Sequence, residues 1–359
     1  MMKIVVLAGG LSPERNVSLT SGAKVCQALR QRGHRAALVD MYFGTQDTGV
    51  ERPEQLFDAP IPEKYGRVGA QAPDLAQVKA ARRGDSASQF GPGVLELCAM
   101  ADCVFLALHG TCGEDGRVQA AFDLLGIPYT GAGYLGNAIA LDKDLTKRLV
   151  AAHPDVHTPA WETVDCARED LDAIVSRTAL PVVVKPLASG SSIGVHIAHT
   201  EQELRHALEQ SRQLGGRTVL EQFVQGREFS VAVLEGKALP AIEIIPKQGF
   251  YDYENKYQAG AAEEVCPANI PPEWEGRMAA GAQAVFRTLE LSVYSRADFI
   301  VTPDGTPYFL EINTLPGMTP TSLVPQEAAA AGIDYGQLCE RIIKASLQAR
   351  EKGVQKWND

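Results

Sequence analysis

The sequence predicts an α/β protein: a doubly wound, parallel-sheet first domain followed by a small central α+β unit and a C-terminal α+β unit. Three observations carry this. Short apolar runs alternate with amphipathic stretches through the first third, the pattern of a parallel sheet with crossover helices. The chain has 359 residues, too many for one ordinary core, so two or three domains are expected. Beyond residue 180 the strand signals become closely spaced, and Asp304-Gly305 between two apolar runs marks a hairpin turn.

Taken in order, residues 4–7 form the first strand, which ends at Gly9-Gly10. Ser18 is placed as the N-cap of a helix with Ala23, Cys26 and Leu29 on one face, and Gly33 ends it. Residues 36–39 and 104–108 are the second and third strands. Residues 43–95, rich in Pro, Gly, Gln and Asp, read as an insertion on the rim with one short helix. A helix over 141–152 carries Lys143 and Lys147. Strands follow at 182–184, 194–198, 219–221 and 229–234, with an amphipathic helix over 201–214. The last third alternates strands at 241–245, 297–301 and 307–312 with helices near 274–290 and 336–352. The expected units are 1–131, 132–224 and 225–359.

Composition narrows the function. Hydrophobic residues make up 45% and charged residues 22%, as in a soluble globular enzyme. A net charge of -10 argues against a nucleic-acid surface, which needs a basic patch. Seven scattered cysteines with no CxxC pair indicate neither a disulfide framework nor a zinc site. The opening apolar run is too short for a signal-peptide core, and nothing later reaches a membrane span. A reducing cytoplasm is the expected compartment, with no membrane partner.

The residues that carry chemistry centre on 295–319. Asp298 precedes Phe299, Ile300 and Val301, and Glu311 follows Tyr308, Phe309 and Leu310. A carboxylate in a buried strand is costly unless a cation or hydrogen bonds hold it. Facing each other across a hairpin with Asn313, the two make an all-oxygen set suited to Mg²⁺, whose remaining ligands are usually phosphates. The alternative is that arginines such as Arg296 pair with them. Ser189-Gly190-Ser191-Ser192-Ile193-Gly194 lies between two strands and could cradle phosphate, although it is neither a Walker loop nor a GxGxxG fingerprint. Lys143 and Lys185 are either surface lysines or point charges for a polyphosphate. Glu221 and Glu228 flank Phe223-Val224, a pairing that suits ribose hydroxyls and a base or an ordinary strand end. Glu14, after the first strand, is placed to meet an amine at a sheet edge, and His109 ends the third strand at that edge. A rival class also exists: GSSIG matches GxSxG, which makes Ser192 a hydrolase nucleophile. That elbow requires a helix next, whereas residues 195–198 read as strand.

Together these segments resemble the D-alanine–D-alanine ligases of the ATP-grasp superfamily. The matching stretches are GGLSPERNVSLTSG (9–22), LHGTCGEDGRVQ (108–119), GIPYTGAG (126–133), LDKDLTK (141–147), VVVKPLASGSSIGV (182–195), LEQFVQGREF (220–229), YDYENKY (251–257) and the RADF and FLEINTLPGMTPTSLVP segments within 296–325. They run in order over nearly the whole chain. The resemblance implies an ATP-grasp fold, with ATP between the central and C-terminal units. ATP would phosphorylate a first D-alanine, and the amine of a second would attack the D-alanyl phosphate. By similarity, Lys143, Lys185 and Ser192 contact phosphates, and Glu221, Phe223, Val224 and Glu228 frame the adenosine. Asp298, Glu311 and Asn313 hold two Mg²⁺, with Mn²⁺ as a substitute. Glu14 takes the first amine near His109, and Arg296 with the Gly317 N–H stabilises the oxyanion. Ser322, the Leu323 backbone and Lys256 hold the second carboxylate. Glu14, Ser191 and Tyr257 form the link that closes the site. A homodimer and a role in peptidoglycan synthesis follow from the same resemblance. Asn16, Ser189 and Leu315 depart from many relatives without removing a proposed catalytic group. Retention of Lys256-Tyr257 argues against D-lactate as second substrate and leaves D-serine as the alternative within the family. A catalytically silent nucleotide-binding relative is a third option, disfavoured by the intact ligand set.

Overall fold

The computed structural model describes residues 1–46, 48–65, 73–84, 86–187, 194–247 and 262–358. Strands β1 (Lys3–Ala8), β2 (Arg35–Asp40) and β3 (Cys103–Leu106) pair in parallel in the order β2-β1-β3, as the alternating pattern predicts. Helix α1 (Arg15–Gln31) is the crossover between β1 and β2. It starts earlier than expected: Glu14, not Ser18, is the N-cap residue. The Ser18 hydroxyl is used elsewhere, accepting from the Gly9 N–H at 2.7 Å and donating to the Ala107 carbonyl at 2.5 Å. It therefore ties the ends of β1 and β3 together rather than capping a helix. Gly33 follows the helix at φ 85°, a conformation that favours glycine.

The 43–95 stretch holds the expected short helix, α2 (Leu75–Ala81), capped by Asp74. Buried Arg82 fastens the insertion by donating to the Ser88 and Phe90 carbonyls and stacking over Tyr42. Helices α3 (Val94–Ala99) and α4 (Arg117–Leu125) flank β3. The helix expected at 141–152 is α6 (Lys143–Val150), and a helix that was not expected, α5 (Tyr134–Leu141), precedes it. Asp142 breaks them apart: its extended backbone ends α5, and its carboxylate accepts the Leu145 N–H at 3.0 Å to start α6.

The middle unit is an antiparallel sheet of β4 (Trp161–Asp165), β5 (Val182–Pro186), β6 (His196–Ala198) and β7 (Arg217–Gln222) in the order β4-β7-β5-β6. Helices α7 (Leu171–Arg177) and α8 (Glu201–Gln213) cover it around a separate core that includes Val164, Ile174, Leu204 and Leu220. Thr200 and Glu203 form a capping box at the start of α8.

The C-terminal sheet runs β11-β10-β8-β12-β13, with β9 (Lys237–Ala238) on β8. Its strands are β8 (Arg227–Leu234), β10 (Ile242–Pro246), β11 (Ala262–Val265), β12 (Tyr294–Val301) and β13 (Pro307–Asn313). Helix α9 (Pro272–Thr288) packs on this sheet. Helix α10 (Leu323–Ala330) and the long α11 (Tyr335–Asn358) complete the chain. Leu338, Ile342 and Ile343 of α11 share one buried cluster with β1 and α1, so the last helix returns to the first domain. Ser346 and Arg350 fix it there, the first accepting from the Gly131 N–H and the second donating to the Tyr129 carbonyl.

The expected hairpin is β12–β13, and it sets the site. Gly305 turns it at φ 81°, against the Trp274 indole, where a Cβ would clash. Asp298 pairs directly with Glu311 and Arg296 with Asn313, and a bulge follows Asp298. Because side chains alternate along a strand, these four project from one face of the sheet.

Candidate active site

A cleft of about 460 Å³ lies between the middle sheet and the C-terminal sheet. Arg296, Asp298 and Ile300 come to it from alternate positions of β12, and Glu311 from β13. The opposite wall carries Lys185 from β5 and Glu221 from β7. Lys143 enters from the first residue of α6. Phe223, Val224 and Ile244 give one end an apolar lining, with Glu228 beside them. A smaller recess shares Lys143 and Glu311 and continues to Glu114 and Asn313.

Each buried charge on the cleft walls has a counter-charge. Arg296 grips Asp298 with two bonds of 2.9 Å. The Ser230 hydroxyl donates to Asp298 at 2.7 Å, and the Asn313 amide donates to it at 3.1 Å. The Lys143 ammonium sits 3.3 Å from Glu311. The arginine alternative raised by the sequence thus holds for Asp298, while Glu311 pairs with a lysine. Neither pair excludes a cation. Asp298 and Glu311 are acceptor-only groups in register on one face, and Asn313 adds an amide oxygen, a hard-oxygen set that fits Mg²⁺. Among the described residues no three His, Cys, Asp or Glu side chains are arranged to hold a metal ion, so the set requires the Asn313 amide.

On the opposite wall Glu221 is 1% exposed and lies between two ammonium groups, Lys185 at 2.5 Å and Lys147 at 2.9 Å. Burial disfavours the charged carboxylate, but the two lysines outweigh it and hold the Glu221 pKa below its ordinary value. For Lys185, burial is likewise outweighed by Glu221, and its pKa is raised.

Behind the floor lies a second cluster, at the carboxyl edge of the parallel sheet. His109 is buried, and its Nδ1 donates to the Leu315 carbonyl at 2.9 Å, because a carbonyl can only accept. Burial lowers its pKa despite Glu14, which leaves a neutral ring. Its Nε2 is then an acceptor, buried and without a partner among the described residues. Glu14 is buried, and its carboxylate does not cap α1. Glu114 accepts from the Gly110 N–H at 2.9 Å and the Leu315 N–H at 3.2 Å, joining the His109 loop to the loop after β13. The Ser322 hydroxyl accepts from the Thr319 N–H at 3.1 Å. A Cβ on Gly317 would stand 2.9 Å from that hydroxyl, so the turn needs glycine for close approach. Leu323 reaches the cleft from the start of α10.

Burial, and then the charge of Glu14, push the Glu114 carboxyl up to about 7. A carboxyl raised in the folded state stabilises the protein below its unfolded pKa and loses that contribution as pH rises through about 7. Glu114→Gln is therefore expected to change the pH slope of stability. Relative to wild type it should gain on the order of 2–3 kcal/mol between pH 5 and 8, over any constant loss. Denaturant midpoints at the two pH values measure this, and parallel slopes for the two proteins would contradict the assignment.

The structure thus brings together Lys143, Lys185, Glu221, Glu228, Phe223, Val224, Arg296, Asp298, Glu311 and Leu323 in one cleft, with Asn313 in the adjoining recess. Ser191, Ser192, Lys256 and Tyr257 lie outside the described residues. The strand β6 after the glycine segment lacks the helix that a nucleophile elbow needs, which removes the structural support for the hydrolase reading. Sequence reasoning missed three participants. Ser230 was hidden because its partner Asp298 is supplied by strand pairing. Glu114 reads as an acid in a Gly-Glu-Asp-Gly turn, and Lys147 as one more helix lysine.

Residues 3–132 match the family model described as D-ala D-ala ligase N-terminus, and residues 151–344 match its C-terminus counterpart. The chain is 40% identical over 345 residues to a D-alanine–D-alanine ligase of Pediococcus pentosaceus, covering 95% of this chain and 97% of that one. It is 41% identical to the ligase of an Anaeromyxobacter species over 97% of this chain and 98% of that one. Among solved structures, the Bacillus anthracis D-alanine–D-alanine ligase complexed with ATP superposes with a TM-score of 0.71 at 29% identity, covering 98% of this chain and 100% of that one. The ligase from Coxiella burnetii gives 0.74 at 25% identity, with coverages of 99% and 98%. Two family models in sequence order, relatives aligned end to end, and a cleft between two antiparallel sheets all agree: the chain belongs to the D-alanine–D-alanine ligase family.

Proposed function

We propose that this chain is an ATP-dependent ligase that joins two D-alanines through a D-alanyl phosphate, yielding D-alanyl-D-alanine for peptidoglycan. The observation that carries the reading is the cleft between the two sheets. It sets an apolar end beside Lys143 and Lys185, and an oxygen set beside Arg296. Such a site gathers a polyphosphate with carboxylate substrates and offsets their mutual repulsion.

In this mechanism the base lies against Phe223, Val224 and Ile244, with Glu228 toward the ribose. Lys143 and Lys185 meet the phosphates. Asp298, Glu311 and Asn313 would hold Mg²⁺, which when bound neutralises phosphate charge. Glu14 takes the ammonium of the first D-alanine, and the neutral His109 Nε2 is placed to accept from a donor of that substrate. The first carboxylate attacks the terminal phosphorus, forming the acyl phosphate as the bond to ADP breaks. The amine of the second D-alanine, having lost a proton, attacks the acyl carbon. Arg296 and the Gly317 N–H stabilise the oxyanion before phosphate leaves. Ser322 and the Leu323 backbone receive the second carboxylate, together with Lys256. The resemblance alone supports Ser191, Ser192 and Tyr257 in the closing loop.

The units 1–131, 132–224 and 225–359, a cytoplasmic location and a homodimer belong to the same proposal. Among the described residues no helix is long and apolar enough to cross a membrane. Leu124 and Leu125 at the end of α4, and Tyr134 and Leu135 at the start of α5, are exposed apolar side chains of the kind a second copy covers. Sedimentation velocity is the check on the dimer.

The experiment for the activity is a competition. With D-alanine, D-serine and D-lactate at equal concentration, ATP and Mg²⁺, mass spectrometry should find mostly D-alanyl-D-alanine. A D-alanyl-D-serine majority would move the protein to the other specificity class. Product formation without ATP would overturn the ligase reading.

A further inference from the structure

Among the described residues Lys147 is a fully buried charge that the mechanism leaves unused. Its side chain is 0% exposed, so it cannot itself meet a phosphate in the cleft. The ammonium lies 2.9 Å from Glu221, donates to the Thr158 hydroxyl and sits 5.5 Å over the Trp161 ring. Glu221 already has a counter-ion in Lys185. A second buried ammonium on one carboxylate adds desolvation cost, and this calls for a reason. Burial depresses the Lys147 pKa, Glu221 opposes that, and Lys185 adds to it, leaving the pKa lowered.

The reason lies in the other lysine. Lys185 lines the cleft, and the proposed mechanism sends its ammonium to the triphosphate. If Lys185 were the sole counter-ion of Glu221, engaging the nucleotide would strand a buried carboxylate, one of the costlier changes a protein interior can undergo. With Lys147 in place, Glu221 stays paired and Lys185 is released. We infer that Lys147 is a positioning residue for nucleotide binding: a resident counter-ion that holds Glu221 so that Lys185 can leave it for the phosphates. Thr158 fixes the ammonium from behind. The inference rests on the proposed nucleotide placement.

The test reads binding of a non-hydrolysable ATP analogue, the β,γ-imido triphosphate, to the full chain by calorimetry with Mg²⁺ present. Lys147→Met should weaken it on the order of 10-fold or more, because Lys185 is now held by Glu221. The KM for D-alanine should stay near wild type. The decisive step is suppression. In the Lys147→Met background, Glu221→Gln removes the charge that traps Lys185, so the double variant should bind within about 3-fold of Glu221→Gln alone, by double-mutant-cycle logic. A lysine serving only packing predicts losses that add, and an additive or worse double variant would overturn the inference. Lys185→Met is the control for placement. If it leaves analogue binding unchanged, the nucleotide placement itself fails. If it weakens binding and Lys147→Met does not, only this inference fails. Should Lys147→Met not fold, Thr158→Val loosens the ammonium without deleting it and should weaken binding in the same direction by a smaller factor. Unchanged binding in that variant counts against the inference.

Discussion

Arg296→Met is expected to lower kcat by about 10²-fold or more while moving the KM for ATP little. The guanidinium lies on the cleft floor and is fixed by its two bonds to Asp298. It is near enough to His109 to oppose protonation of that ring, which places it between the oxygen set and the cluster proposed for the first D-alanine. Attraction to a substrate carboxylate, which carries its charge before reaction, is already present in the ground state and does not raise kcat. The guanidinium gains most when the acyl oxygen becomes an anion, and an interaction made only then appears in kcat. Arg296→Lys should not rescue, since one ammonium cannot hold Asp298 through two bonds and also reach the oxyanion. Steady-state kinetics in both substrates separate the outcomes. A change confined to the KM for ATP would make Arg296 a nucleotide ligand instead.

Much of this site was legible in the sequence, for a physical reason. Asp298 and Glu311 stand out because polar groups inside apolar strand runs violate the burial pattern, and the Asp304-Gly305 turn fixes which of them can face each other. The parallel sheet was legible because its strands are short apolar runs alternating with amphipathic stretches, the first closed by Gly9-Gly10. What escaped depends on partners distant in sequence. Lys147 reads as a surface lysine until β7 brings Glu221 against it, a contact that no local period encodes. Ser18 looks like a helix cap because serine at a helix start usually is one, and only the approach of Ala107 and Gly9 claims its hydroxyl. Helix α5 escaped because Asp142 separates it from the helix expected over 141–152, its side-chain capping of α6 competing with helix continuation over a single residue.

Glu311→Gln is expected to keep the fold and lose turnover by about 10²-fold, because one anionic ligand to the proposed metal becomes neutral. The fold should survive for two reasons. Glu311 is about a quarter exposed, and a glutamine there still offers an amide oxygen to the buried Lys143 ammonium. The strand pairing that positions residue 311 is made by backbone, and glutamine keeps the shape. Activity should not survive as well, since Asp298 remains shared with Arg296, Ser230 and Asn313 and cannot replace the missing charge alone. The informative measurement is a Mg²⁺ titration of activity beside a thermal melt. For Glu311→Gln the midpoint should move to higher Mg²⁺ while the melting temperature stays near wild type. Lys143→Met is the companion: it should raise the KM for ATP without moving the Mg²⁺ midpoint to higher concentration, because it removes a phosphate contact and leaves every oxygen ligand in place. Near-wild-type activity of Glu311→Gln at saturating Mg²⁺, with an unshifted midpoint, would return Glu311 to a purely electrostatic partner of Lys143.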